Sequence, residues 1–213
     1  DDHQVRVFLL ILFVSTIVIY YFANNFIGGS YFNKIIAVSF NTISIISGTG
    51  FISENFENWG NYASVLFLIL MFIGGCAGST TGGLKVFRIQ ILFKYLNLHL
   101  KKMLKPHIIA ASHFNGKKVN ESTYESVMSF FFIYILTFFV SALLLSFSGL
   151  DFLTCVSAAA SAISNVGPGL GEIIGPNGNY SSLNGYSKVV LLLTMFLGRL
   201  EMLTILVLFI PYF

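Results

Sequence analysis

Two short runs hold the residues best suited to chemistry: Ser47-Gly48-Thr49-Gly50 and Ser164-Asn165-Val166-Gly167, each closing a short apolar stretch. A helix that ends inside a membrane leaves its last carbonyls without amide partners and points the negative end of its dipole inward. A cation completes those bonds. Where successive carbonyls must converge on one axis, glycine supplies backbone angles that a side chain would forbid. All eight residues are therefore candidates for rings of backbone oxygen that replace an ion's hydration shell. In one copy the glycines serve equally well as the ends of buried helices; two copies in register favour the pore. Gly167-Pro168-Gly169-Leu170-Gly171 has the glycine density of a dinucleotide-binding turn, but no strand precedes it.

A second group interrupts an apolar span. Gly74, Gly75, Gly78, Gly82 and Gly83, interspersed with Ala77, Ser79, Thr80 and Thr81, should unwind the helix. Unwound backbone at membrane depth is tolerated only against protein or a water-filled cavity, so a flexible obstruction beneath the filter is expected. Tight helix packing through small residues is the alternative use of this composition. Arg199 and Glu201 stand in the last apolar span, where each charge costs roughly 2.5–3.5 kcal/mol and seldom occurs without a role. Arg199 acts there as a fixed positive charge on the cation path, or as a structural partner for Glu201 or for loop carbonyls. A spacing of two sets Arg199 and Glu201 on different helix faces, which weakens their direct pairing.

The elements that must position these groups follow from composition. The 213 residues are 55% hydrophobic and 10% charged, with a mean hydropathy of +0.80, whereas soluble domains carry roughly 25% charged residues. An all-α integral membrane protein is expected, since lipid requires every backbone amide to be satisfied locally and no barrel-type alternation is present. Cys76 and Cys155 sit singly in apolar or small-residue stretches, which excludes a disulfide framework, and His3, His99, His107 and His113 fall in terminal or cytoplasmic segments as solvated groups rather than ligands. No carboxylate pair, Ser/His set or metal-ligand cluster is available to an enzyme.

Four stretches, 5–24, 63–87, 124–147 and 188–210, reach the roughly 20 residues that a crossing needs. Segments 33–46 and 151–163 are too short to cross and suit re-entrant helices. Eight of the twelve Lys and Arg residues lie between Lys85 and Lys118, which makes that segment and both chain ends cytoplasmic. The outer loops then carry Glu54, Glu57, Asp151 and Glu172 against Lys34 alone, a balance that concentrates cations at an outer mouth. Arg88, Lys94, Asn97, Lys101 and Lys105 recur at helical spacing among apolar residues, as in an interfacial amphipathic helix, and the basic segment also suits anionic lipid.

The order span, short helix, glycine turn, span occurs twice. Residues 44–50 align with 161–167, sharing Ser, Ile, Ser and Gly at equal offsets, and 71–75 align with 195–199. The two copies share one orientation, unlike the inverted repeats of many secondary transporters.

On these residues the chain resembles the Trk/Ktr superfamily of potassium transporters, over its whole length. Ser47-Gly48-Thr49-Gly50-Phe51 and Asn165-Val166-Gly167-Pro168-Gly169 look like the third and fourth filter segments of that family. Gly74-Gly75-Cys76-Ala77-Gly78-Ser79-Thr80-Thr81-Gly82-Gly83-Leu84-Lys85 is similar to the broken helix of its third repeat, closer to the Trk branch. The resemblance implies potassium uptake, with K⁺ held at the filter residues, no organic cofactor, and a gate made by the glycine-rich loop with Arg199. It implies an inner-membrane homodimer docked on a cytosolic ring of nucleotide-binding regulatory subunits, with no nucleic acid partner. Family members carry four such repeats, so a further half is expected before Asp1. The domains are then a third-type repeat over 1–87 (filter 47–51), a cytoplasmic helix and basic loop over 88–121, and a fourth-type repeat over 122–213 (filter 164–169). Two other readings stay open: a carrier for another monovalent cation or small solute, and a non-conducting half-pore subunit.

Overall fold

The computed structural model describes residues 2–104, 113–114 and 117–200. Its elements are α1 (His3–Ala23), α2 (Tyr31–Ile46), α3 (Asn61–Phe72), α4 (Val86–Leu104), β1 (His113–Phe114), β2 (Lys117–Lys118), α5 (Glu121–Ser146), α6 (Phe152–Ser164) and α7 (Gly185–Arg199). The helical class holds. The two-residue antiparallel pair β1–β2 sits in the basic segment that was expected to be a loop throughout.

Caps fix where the helices begin. Ser30 and Asp151 accept from the amides of Asn33 and Thr154, at 3.4 and 3.1 Å, so the short helices start at Tyr31 and Phe152 rather than at 33 and 151. Asn184 accepts from Ser187 N at 2.8 Å and starts α7 at Gly185, ahead of the expected 188. The remainder of that expected span, Glu201 included, lies outside the described residues.

Helices α1 and α5 are long and apolar enough to cross a membrane. Their surfaces are inverted relative to a protein in water: Phe13, Phe132 and Phe139 are each more than 60% exposed, a coat that suits hydrocarbon. Hydroxyls on these helices bond to their own backbone, as Thr16 does to the Leu12 carbonyl at 2.8 Å and Thr137 to that of Ile133 at 2.8 Å. The second expected span is divided. Helix α3 stops at Phe72, no helix spans 73–85, and α4 resumes at Val86. Helix α4 buries Ile91 against Tyr124 and Val127 of α5 and sets the Arg88 guanidinium 3.7 Å over the Phe130 ring.

Beside that small α4–α5 cluster stand two larger apolar cores, one among α1, α2 and α3 and one among α5, α6 and α7. Helix α6 is enclosed: Ala158, Ala159 and Ala160 are fully buried, and their small side chains let α5 and α7 approach closely. Gly198 of α7 lies so near the Ile163 carbonyl of α6 that a Cβ would overlap it. The cores are stitched together by the turn after α6, whose Val166 and Leu170 are buried in the core of the first unit.

Candidate ion pathway

The two glycine turns fold alike. After α2, Gly48 N–H donates to the Ile45 carbonyl at 3.1 Å and Thr49 N–H to that of Ser44 at 2.9 Å; after α6, Asn165 N–H donates to Ala162 at 3.2 Å and Val166 N–H to Ser161 at 3.0 Å. This is the Schellman ending, with a left-handed residue at the turn: Gly48 at φ +66° and Asn165 at φ +54°. Carbonyls near the ends of both helices thus find amides in their own chain. The expectation that the last carbonyls await a cation is corrected for Ser44, Ile45, Ser161 and Ala162, because the left-handed residue turns the next amides back onto them. It is the following residues that meet across the gap. Gly50, at φ +75°, is placed so that a Cβ would overlap the Val166 carbonyl oxygen, and a Cβ on Gly48 would stand 3.8 Å from the Asn165 oxygen. Gly167, at φ +114°, faces Gly50 in turn. Ser47 and Thr49 share a hydroxyl hydrogen bond of 2.6 Å, while Ser164 is buried and bonds to Tyr134 Oη of α5 at 2.7 Å. Both turns line a cavity of about 780 Å³ that Ile52, Tyr180 and Lys188 complete.

Side chains of the short helices hold the chain as it returns. Asn41, fully buried, accepts from Ser53 N at 3.2 Å and donates to Ser53 Oγ at 2.8 Å. Ser157 both accepts from Leu170 N at 2.9 Å and donates to the Leu170 carbonyl at 3.1 Å, and Ser161 Oγ accepts from Gly167 N at 3.0 Å. Tyr180 reaches in from the following loop and donates to the Gly167 carbonyl at 2.8 Å. Burial pushes its phenol above the ordinary tyrosine value, with a Ser161 hydrogen bond acting the other way, so the hydroxyl stays protonated and able to donate at neutral pH. Two acidic residues have structural duties: Asp151 caps α6, and Glu57 accepts from Gly171 N of the other unit.

The loop over 73–85 is folded and hydrogen-bonded. Its limbs meet at a parallel bridge between Ile73 and Leu84, with Gly74 N donating to Leu84 O at 2.9 Å and Val86 N to Gly75 O at 3.0 Å. Hydroxyls satisfy the tip: Thr81 Oγ1 accepts from Gly75 N at 2.8 Å, and Ser79 Oγ donates to Cys76 O at 2.7 Å. Polar groups on neighbouring helices hold it from outside. Gln4 Oε1 of α1 accepts from Ala77 N at 3.0 Å, and Arg199 Nη1 of α7 donates to the Thr80 carbonyl at 2.7 Å. Gly78 and Gly83 take positive φ, and Gly82 passes so near the Ser164 carbonyl that a Cβ would overlap it. The loop therefore lies directly against the end of α6.

Sequence reasoning missed Gln4, Asn41, Tyr134 and Tyr180. Asn41 is a polar residue in an apolar stretch and 0% exposed, a signal the intramembrane-polar rule would have caught, whereas Gln4, 8% exposed, sits in the polar run before the first expected span and carries no such mark. Tyr134 and Tyr180 look like ordinary aromatic residues of a span and a loop until the fold brings them to the filter segments. Among the described residues no three His, Cys, Asp or Glu side chains gather as a metal site, and Cys76 and Cys155 are both free.

Two successive units of helix, short helix, glycine turn and helix, coated with apolar side chains, define an all-helical membrane protein. Residues 1–212 match the family described as TrkH, cation transport protein, and the chain belongs to that family. It is 40% identical to the Trk system potassium uptake protein TrkI of Halomonas elongata over 214 residues, covering 100% of this chain and 43% of that protein. It is 38% identical to the Trk system potassium uptake protein TrkH of Escherichia coli K12 over 174 residues, covering 82% of this chain and 35% of that protein. The crystal structure of the potassium transporter TrkH from Vibrio parahaemolyticus superposes with a TM-score of 0.90 at 34% identity, over 99% of this chain and 44% of that one. The chain thus spans less than half the length of the relatives it matches.

Proposed function

We propose that this chain supplies two quadrants of a potassium-uptake pore in the cytoplasmic membrane. Ser47, Gly48, Thr49 and Gly50 with Ser164, Asn165, Val166 and Gly167 form the filter, and the loop over 74–83 with Arg199 forms the gate. The observation that carries the reading is the close approach of Gly50 to the Val166 carbonyl, which brings two backbone turns of matching fold together at one place. Carbonyl oxygens held by a rigid backbone suit a monovalent cation that must shed its water and regain it. The names of the relatives, potassium uptake proteins, supply the ion. At the gate, the guanidinium of Arg199 keeps its charge at any physiological pH, and near a cation path it disfavours occupancy the more strongly as the local dielectric falls.

The remaining parts of the reading rest on family likeness and charge. The basic segment over 85–118 faces the cytoplasm, and a cytosolic nucleotide-binding ring regulates opening from that side of a homodimer. The test is rubidium uptake into proteoliposomes carrying the full-length protein. Uptake that exceeds sodium uptake supports the filter; equal uptake of the two ions overturns it.

A further inference from the structure

We infer that Tyr180 is a specificity-determining residue that sets the orientation of the Gly167 carbonyl. The inference rests on the filter reading above and deepens it. Both backbone polar groups of Gly167 are held by side chains: its N–H donates to Ser161 Oγ at 3.0 Å, and its carbonyl accepts from Tyr180 Oη at 2.8 Å. At φ +114° Gly167 has no side chain of its own, and with the Pro168 ring limiting the peptide that follows, these two bonds hold the oxygen where it points. Ser161 comes from within α6, whereas Tyr180 comes from a 3₁₀ turn, Tyr180–Ser182, in the loop before α7. That turn is itself held at its middle residue, with Asn179 Oδ1 accepting from Ser181 N at 2.9 Å and Lys188 Nζ donating to the Ser181 carbonyl at 2.7 Å. The hydroxyl is thus presented by a braced element rather than by a loose one.

The first unit is built differently. Its aligned serine, Ser44, is buried, and its hydroxyl has no hydrogen-bond partner among the described residues, while Gly50 N–H turns to the Ser44 backbone carbonyl at 3.3 Å. Gly50 is instead confined by its contact with Val166. The two turns share a fold and differ in what stiffens them: backbone packing in one, a tyrosine hydroxyl in the other. A carbonyl free to swing inward ligates a smaller ion better than one held back, so the Tyr180 hydroxyl works against sodium.

Tyr180→Phe removes the donor and keeps the ring. In the full-length protein the sodium-to-rubidium flux ratio should rise about fivefold, as expected for loss of one hydrogen bond of ordinary strength. The amount of monodisperse protein should stay unchanged. Gly50→Ser is measured alongside as the check on the filter itself. If Gly50→Ser alters the ratio and Tyr180→Phe leaves it at the parent value, the filter reading stands and the role of Tyr180 is overturned. If neither alters it, both fall together. Tyr180→Leu carries the same expectation should the phenylalanine variant fail to fold, and an unchanged ratio there overturns the role equally. A loss of total flux with the ratio unmoved would assign Tyr180 to scaffolding alone and also overturn it.

Discussion

Arg199 Nη1 donates to the carbonyl oxygen of Thr80, 2.7 Å away and 119 positions earlier in the chain. The bond ties the last described turn of α7 to the tip of the glycine-rich loop, so in the proposed gate the charge and the loop act together. Arg199→Ala should raise rubidium flux per folded molecule about tenfold, the scale of one hydrogen bond to a charged group. Arg199→Lys should fall between the two, since it keeps the charge without the planar donor geometry. If flux normalised to folded protein drops in Arg199→Ala, the residue only pins helices and the barrier is refuted.

Gly50 and Gly167, the two glycines of the proposed filter, should differ in how they tolerate a side chain. A Cβ on Gly50 would overlap the Val166 carbonyl, whereas the nearest atom to a Cβ on Gly167 is the Gly50 Cα at 4.0 Å. Both take positive φ, which costs an ordinary residue roughly 1–2 kcal/mol. Gly50→Ser should therefore disturb rubidium-over-sodium selectivity more than Gly167→Ser, with both variants still inserted in the membrane. The reverse order of effect, read from flux ratios in proteoliposomes, would remove the contact with Val166 as the cause.

Loop removal should open the path. Deleting 77–81 takes out the Ala77 amide that Gln4 holds and the Thr80 carbonyl that Arg199 holds, together with the Thr81 hydroxyl that fastens Gly75. Rubidium flux without any regulatory subunit should rise several-fold. Gln4→Leu, which frees one of the two outside holds, should give a smaller rise. Flux that is unchanged or lost in well-folded deletion protein counts against a gate here.

Asn165 gives a stability test. It is the non-glycine residue with positive φ among those described, and its side-chain Nδ2 donates to the Met195 carbonyl of α7 at 3.2 Å. Asn165→Gly keeps the backbone and loses the bond; Asn165→Ala loses the bond and is strained as well, by about 1 kcal/mol. Melting in detergent should rank the parent first, then glycine, then alanine. An alanine variant as stable as the glycine variant would show that left-handed strain is not felt at this position.

Much of this was legible because membrane segments announce themselves by length and apolarity. The glycine turns at Gly48–Gly50 and Asn165–Gly167, and the break at 74–83, stand out for the same reason: lipid tolerates neither irregular backbone nor small polar runs without cause. The repeat register was readable too, since Ser44 and Ser161 take equivalent bonds from Thr49 and Val166. What stayed hidden depends on contacts between distant segments. Nothing near Tyr180 in sequence marks it as a partner of Gly167, and Glu57 reads as a solvated mouth charge until the fold sets it against Gly171. The folding of the loop was missed because glycine content reports conformational freedom, whereas Thr81 within the loop and Gln4 and Arg199 outside it supply the hydrogen bonds that fold it.

The passage of Gly82 against the Ser164 carbonyl has a thermodynamic meaning. No side chain or lever separates the loop from the start of the second turn; backbone rests on backbone. Any shift of the loop alters the surroundings of that carbonyl, and with them the affinity of whatever ion lies nearby. Linkage is reciprocal, so an ion that binds more tightly with the loop withdrawn must itself draw the loop away, by the same factor. Permeant ions would then act as ligands of their own gate, and the open probability of such a pore would depend on which cation fills it.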